Sequence, residues 1–162
     1  MNKVIIIFGL PGTGKSTVGT QLAQDLRYEF YDMDKVLPLE MKEKLKNNEI
    51  IQEDDFSKYL AIFIKNVTAL AHKKSVVISA SIFKEKHRKM LLDSIPRHIL
   101  FVLDAPIEVL RTRLRERPGH FFGGALIDEA IKESDPVFAP HFSIDANQSL
   151  GKVMAEISRH LT

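Results

Sequence analysis

Residues 3–26, KVIIIFGLPGTGKSTVGTQLAQDL, decide the fold. Lys3 to Phe8 is a continuous β-branched and aromatic run, the pattern of a central parallel strand covered on both faces. Ser16 to Leu26 switches to helical spacing, with Val18, Leu22 and Leu26 on one side and polar residues between them. Between strand and helix, Gly9, Gly14, Lys15 and Ser16 satisfy GxxxxGK[ST], in the context that gives this pattern its meaning. The glycines let the backbone bend so that successive N–H groups turn inward around an anion, and the helix N-terminus adds the positive end of its dipole. Lys15 has the reach to contact the β- and γ-phosphates of a nucleotide, and the Ser16 hydroxyl is the expected magnesium ligand. Gly9, Leu10, Pro11, Gly12, Thr13, Gly14, Lys15, Ser16 and Thr17 are therefore the expected nucleotide-binding residues. The bland alternative is a glycine-rich turn that only caps a helix.

Outward from this unit, strands and helices alternate without repeats, low-complexity tracts or linkers. Tyr28 to Asp32 reads as a second strand, followed by helices over about 35–47 and 54–73, the latter with Leu60, Phe63, Ile64 and Val67 on one face. Ser75 to Ala80 and His98 to Leu103 read as buried strands, with a helix over Lys84 to Leu92 between them. Pro106 suits the first turn of a helix running to about Arg117, where Pro118 stops it. The breaker-rich PGHFFGG, 118–124, then reads as a loop. A short helix over 126–133, a weak strand over 142–145 and a helix over 149–161 complete the chain. Five strands linked by helices imply right-handed crossovers and a three-layer α/β/α sandwich around a five-stranded, mainly parallel sheet.

With 162 residues and 44% hydrophobic content, the expectation is one domain spanning residues 1–162. No apolar run approaches the roughly 20 residues that cross a bilayer, and MNKVIIIFG runs straight into the glycine-rich turn without a cleavage site. A cytoplasmic protein is expected. The absence of cysteine excludes disulfides, zinc-thiolate sites and a thiol nucleophile. A net charge of +2, with Lys and Arg spread along the chain, argues against nucleic acid as a partner.

Asp32 and Asp34, in FYDMDK, lie just past the second strand, at the sheet edge where open α/β folds bind ligands. One carboxylate there suits Mg²⁺ and the other suits the proton of an acceptor hydroxyl, while helix capping by Asp34 is a compatible structural role. The basic run RTRLRER, 111–117, reads on its own as a solvated helix face. Beside a phosphate loop, its arginines become candidates for neutralising phosphoryl oxygens, Arg117 foremost because it adjoins the loop at 118–124. Arg113 is a candidate for stacking on adenine. His120 is a candidate substrate contact, with an idle loop histidine as the alternative.

Taken together, GLPGTGKST at 9–17, FYDMDKVLP at 30–38 with the acidic EDD at 53–55, SASIFKEKHRKML at 79–91, RLRERPGHFF at 113–122 and SIDANQSL at 143–150 resemble the gluconokinases, close relatives of the shikimate kinases among phosphate-loop kinases. The GHFF segment after RLxxR is the most specific piece, and the resemblance runs nearly end to end. It implies a phosphate-loop nucleoside triphosphate hydrolase fold with a small lid at about 118–125. ATP and Mg²⁺ are the implied cofactors, and a homodimer is suggested. On this reading Lys15, Asp34 and Arg117 are catalytic, Ser16 and Asp32 hold the metal, and Arg113 serves the nucleotide. Asp34, Arg88 and His120 contact the acceptor, with Arg88 matched to a substrate carboxylate.

The implied reaction is transfer of the ATP γ-phosphoryl group to a hydroxyl of a sugar acid, gluconate being the best single acceptor. The chain departs from the family where that acceptor binds. Leu37, Met41 and Phe56 stand at positions usually polar, Phe83 interrupts the motif that follows the third strand, and Asp128–Ala130 replaces the usual SQF. Other readings are a kinase for shikimate, a nucleoside or an aminoglycoside-like molecule, and a nucleotide-binding regulator without turnover.

Overall fold

The computed structural model describes residues 2–47, 49, 51–116 and 124–162. Twelve elements follow one another: β1 (Val4–Gly9), α1 (Lys15–Leu26), β2 (Glu29–Asp32), α2 (Leu39–Lys46), α3 (Glu53–Lys73), β3 (Val76–Ala80), α4 (Glu85–Ser94), β4 (Ile99–Asp104), α5 (Ile107–Glu116), α6 (Gly124–Glu133), β5 (Phe142–Asp145) and α7 (Leu150–Leu161). The five strands form one sheet in the order β2-β3-β1-β4-β5, and every pairing is parallel.

The three layers follow from the period-two alternation within strands that are apolar at every position. Val4, Ile6 and Phe8 of β1, with Val76 and Ile78 of β3, face Leu60, Phe63 and Val67 of α3 and Leu91 of α4. Ile5 and Ile7, with Val77, Phe101 and Ile144, face Val18 and Leu22 of α1 and Val153 and Ile157 of α7. A smaller cluster joins Leu110 and Leu114 of α5 to Ile127 of α6.

One boundary differs from expectation by more than two residues. The helix read from residue 35 begins only at Leu39, because Pro38 disfavours helical geometry at the residue before it. Residues 33–37 instead form a turn in which the Asp32 carbonyl accepts from the N–H groups of Lys35 and Val36, at 3.2 and 3.3 Å. That turn buries Leu37 and Met33, while Asp34 stays half-buried just beyond the end of β2. In this strand order β1 lies between β3 and β4, so the chain leaves it at the point where the connections switch sides of the sheet. Parallel α/β sheets bind ligands at that crevice.

Candidate active site

The loop between β1 and α1 takes its shape from two glycines. Gly12 and Gly14 have φ of 87° and 91°, a left-handed region that side chains rarely adopt. A Cβ at Gly12 would also lie 3.1 Å from the Leu110 carbonyl. No side chain caps the first turn of α1, so its backbone N–H groups face the space enclosed by the loop. Lys15, only 5% exposed, folds back across the loop and donates to the Leu10 carbonyl at 3.1 Å. The Thr13 hydroxyl donates to the same carbonyl at 2.8 Å. This cradle suits a polyphosphate, with a buried cation at its mouth.

Ser16 and Asp32 meet across the α1–β2 junction, the hydroxyl donating to Oδ2 at 2.5 Å. The other oxygen, Oδ1, accepts from the Asp34 backbone N–H at 3.0 Å, which orients the turn carrying Asp34. A hydroxyl and a carboxylate are hard oxygen donors suited to Mg²⁺. Among the described residues there is no cluster of three or more His, Cys, Asp or Glu side chains able to cage an ion. That sparse donor set fits a cation that keeps waters and takes its remaining ligands from substrate phosphates.

Asp34 lines a cavity of about 380 Å³ beyond the C-terminal ends of β2 and β3. Burial holds its carboxyl above the ordinary value. The Lys15 ammonium opposes the shift, the Asp32 charge adds to it and the Ser81 hydroxyl opposes it weakly. Ser81 approaches Asp34 without completing a hydrogen bond, and its Oγ is buried with no partner. The rest of the cavity is walled by Leu37, Leu45, Ile51, Phe56 and Phe83, with Lys84, His87 and several glutamates among its polar groups. Burial first, and then the charges of Lys86 and Lys84, push the His87 imidazole below its usual value, which favours its neutral form.

The sequence-predicted residues therefore divide. Lys15, Ser16, Asp32 and Asp34 converge between loop and cavity. Arg113 lies beside the phosphate loop, where its guanidinium donates to the Gly12 carbonyl at 3.2 Å and the Ala146 carbonyl at 2.7 Å. Arg88 is neither an exposed helix residue nor part of the cavity lining. It is 4% exposed, and it donates to the carbonyls of Ile82 and Asp135 at 2.8 Å and Pro136 at 3.2 Å. Arg117, His120 and most of the segment expected as a lid lie outside the described residues. Of the departures from the family pattern, Leu37 and Phe56 line the cavity, whereas Met41 packs against the core beside it.

Ser81, Lys84 and His87 were not singled out from the sequence. The available signal was position: they follow the C-terminal end of β3, on the edge where a parallel sheet binds ligands.

A parallel sheet with a phosphate loop at its switch point, a hydroxyl–carboxylate pair suited to a cation and a carboxylate lining a cavity of about 380 Å³ match the layout of a phosphate-loop kinase. A family model for shikimate kinase matches residues 11–159. A probable gluconokinase from Xenopus tropicalis is 33% identical, over 95% of this chain and 90% of that protein. The thermoresistant gluconokinase of Escherichia coli strain K12 is 27% identical, over 94% and 89%. A gluconokinase crystal structure from Sinorhizobium meliloti 1021 superposes with a TM-score of 0.81 at 26% identity, covering 98% of this chain and 95% of that one. The chain belongs to the gluconokinase and shikimate kinase family, whose members are ATP-dependent phosphotransferases acting on hydroxyl groups.

Proposed function

We propose that this chain transfers the γ-phosphoryl group of Mg-ATP to a hydroxyl of a sugar acid, with gluconate as acceptor and 6-phosphogluconate as product. The observation that carries the reading is the convergence of Asp34 and Lys15, one at the acceptor cavity and the other in the phosphate loop, close enough that the lysine charge acts on the carboxyl. The names of relatives that align over about nine-tenths of both chains point to the same acceptor. A cytoplasmic setting goes with ATP as donor.

Little covalent chemistry is required of the protein in phosphoryl transfer, so positioning and charge dominate. Asp34 orients the acceptor hydroxyl and takes its proton as that oxygen bonds to phosphorus and the bond to the β-phosphate oxygen breaks. Lys15 and the open N–H groups at the start of α1 hold the phosphoryl oxygens. Ser16 and Asp32 would hold Mg²⁺, whose contribution is to neutralise phosphate charge. Arg113 steadies the phosphate loop through the Gly12 carbonyl. Arg117 and His120 belong to this reading as lid contacts to phosphoryl group and substrate, and Arg88 as a support for the acceptor side.

A second reading is favoured by Leu37 and Phe56 in the cavity wall: a kinase for a less polar alcohol. The test is ADP release from Mg-ATP with gluconate, shikimate and a panel of sugar acids and neutral alcohols, beside Lys15→Ala. Gluconate-dependent turnover, lost in the variant, is the expected result. Turnover with another acceptor alone moves the assignment to that molecule, and normal ATP binding without any acceptor-dependent turnover removes the kinase reading.

A further inference from the structure

Leu37 and Phe56 make one side of the cavity apolar, so recognition of a polar acceptor falls to the turn between β3 and α4. Lys84 lies on that turn and is the one cation among the described residues that line the cavity. Its Nζ stands 3.0 Å from Oε2 of Glu133, in the last turn of α6. The two side chains are 40% and 53% exposed, so neither is locked by packing. The remaining charged lining groups are the carboxylates Asp34, Glu49, Glu53 and Glu129, and Glu53 is engaged by Lys86. Among the described residues, an acceptor carboxylate entering this cavity has Lys84 as its sole oppositely charged anchor, and a carboxylate of the protein already occupies it.

We propose that Lys84 is the anchor for the acceptor's carboxylate and that Glu133 is its internal stand-in, so that binding of a sugar acid exchanges one carboxylate for the other. The inference rests on the sugar-acid reading above. Its mechanical basis is local. The chain just beyond Glu133 is tied to α4, because Arg88 donates to the Asp135 and Pro136 carbonyls and Oδ2 of Asp135 accepts from the Glu85 N–H at 2.9 Å. The Glu133 side chain can therefore leave Lys84 while the backbone behind it stays in place. Acceptor binding then breaks the side-chain contact between Lys84 and α6 without displacing the backbone. Glu133 also acts as a selectivity filter, since a neutral alcohol gains nothing by displacing it.

The test uses three six-carbon acceptors that differ at one carbon: gluconate, neutral glucitol and cationic glucamine. Turnover with Mg-ATP and calorimetric binding of gluconate are measured for the full chain, Lys84→Met and Glu133→Gln. Lys84→Met is expected to lower the gluconate-to-glucitol ratio of kcat/KM by roughly tenfold through KM, the loss typical of a charge-assisted hydrogen bond. Glu133→Gln is expected to tighten gluconate binding several-fold by removing the competitor. An unchanged ratio in Lys84→Met, weaker gluconate binding in Glu133→Gln, or a preference for glucamine lost in Glu133→Gln overturns the proposal. Gluconate binding that depends on Lys84 without turnover sinks the catalytic reading and leaves the anchor. Turnover on gluconate that ignores Lys84 sinks the anchor alone, and absence of both binding and turnover sinks both.

Discussion

The Ser16 hydroxyl lies 2.5 Å from Oδ2 of Asp32, linking the first turn of α1 to the end of β2. This contact joins the phosphate loop to the acceptor side, because the other Asp32 oxygen receives the Asp34 N–H. Ser16→Ala and Asp32→Asn are therefore expected to raise the Mg²⁺ concentration needed for half-maximal activity by about 10- to 100-fold, the range seen when groups that ligate or orient a metal are removed. Titrating Mg²⁺ at fixed ATP checks this, and an unchanged midpoint would place the cation elsewhere.

Asp34 has a carboxyl pKa raised mainly by burial, so ionising it weakens the folded state. The folded protein binds this proton more tightly than the unfolded chain. The resulting stability is fully present below the ordinary value of 3.8 and is lost as pH rises through the folded-state pKa. Asp34→Asn should accordingly raise the melting temperature at pH 7 while lowering kcat by about 10²- to 10⁴-fold, the usual contribution of a positioned base. In the wild type, the acid limb of kcat/KM should lie above the range of an exposed aspartate. A melting temperature that drops in the variant would contradict the argument.

Arg88 serves three backbone carbonyls from two separate segments. Arg88→Met should cost at least about 2 kcal/mol, because the buried Ile82 carbonyl and the part-buried Asp135 and Pro136 carbonyls lose their donor. Arg88→Lys should recover little of it, since one ammonium cannot reproduce the planar fork that spans both segments. Urea denaturation measures both. Wild-type stability with a raised KM for the acceptor would instead make Arg88 a direct substrate contact.

Gly14 offers a cleaner test of the loop. Nothing lies within 4 Å of a Cβ built there, yet its φ is 91°. Gly14→Ala should thus lose about 1–2 kcal/mol from backbone conformation alone. Its ATP affinity should fall by a larger factor, as the N–H groups turn away from the phosphates. Calorimetric titration with ATP and thermal melts separate the two effects.

Local patterns were enough to place Lys15 and Ser16, because a phosphate loop is a short segment whose chemistry depends on backbone bending between adjacent residues. The order of the strands in the sheet was not legible in the same way: pairing depends on contacts such as Ile6 with Ile78 and Leu100, far apart in sequence. Pro38 was a readable signal for the delayed start of α2, and it acts through the residue before it.

The sequence by itself determined the phosphate loop, the α/β alternation and the pair of aspartates after the second strand, since each is written in neighbouring residues. Only the tertiary structure decided that Arg88 clamps backbone and that Lys84 pairs with Glu133 on the cavity that Asp34 also lines. Those roles depend on which distant carbonyl or carboxylate packing brings to each cation. An arginine on a helix or a lysine on a turn carries no local mark of that partner.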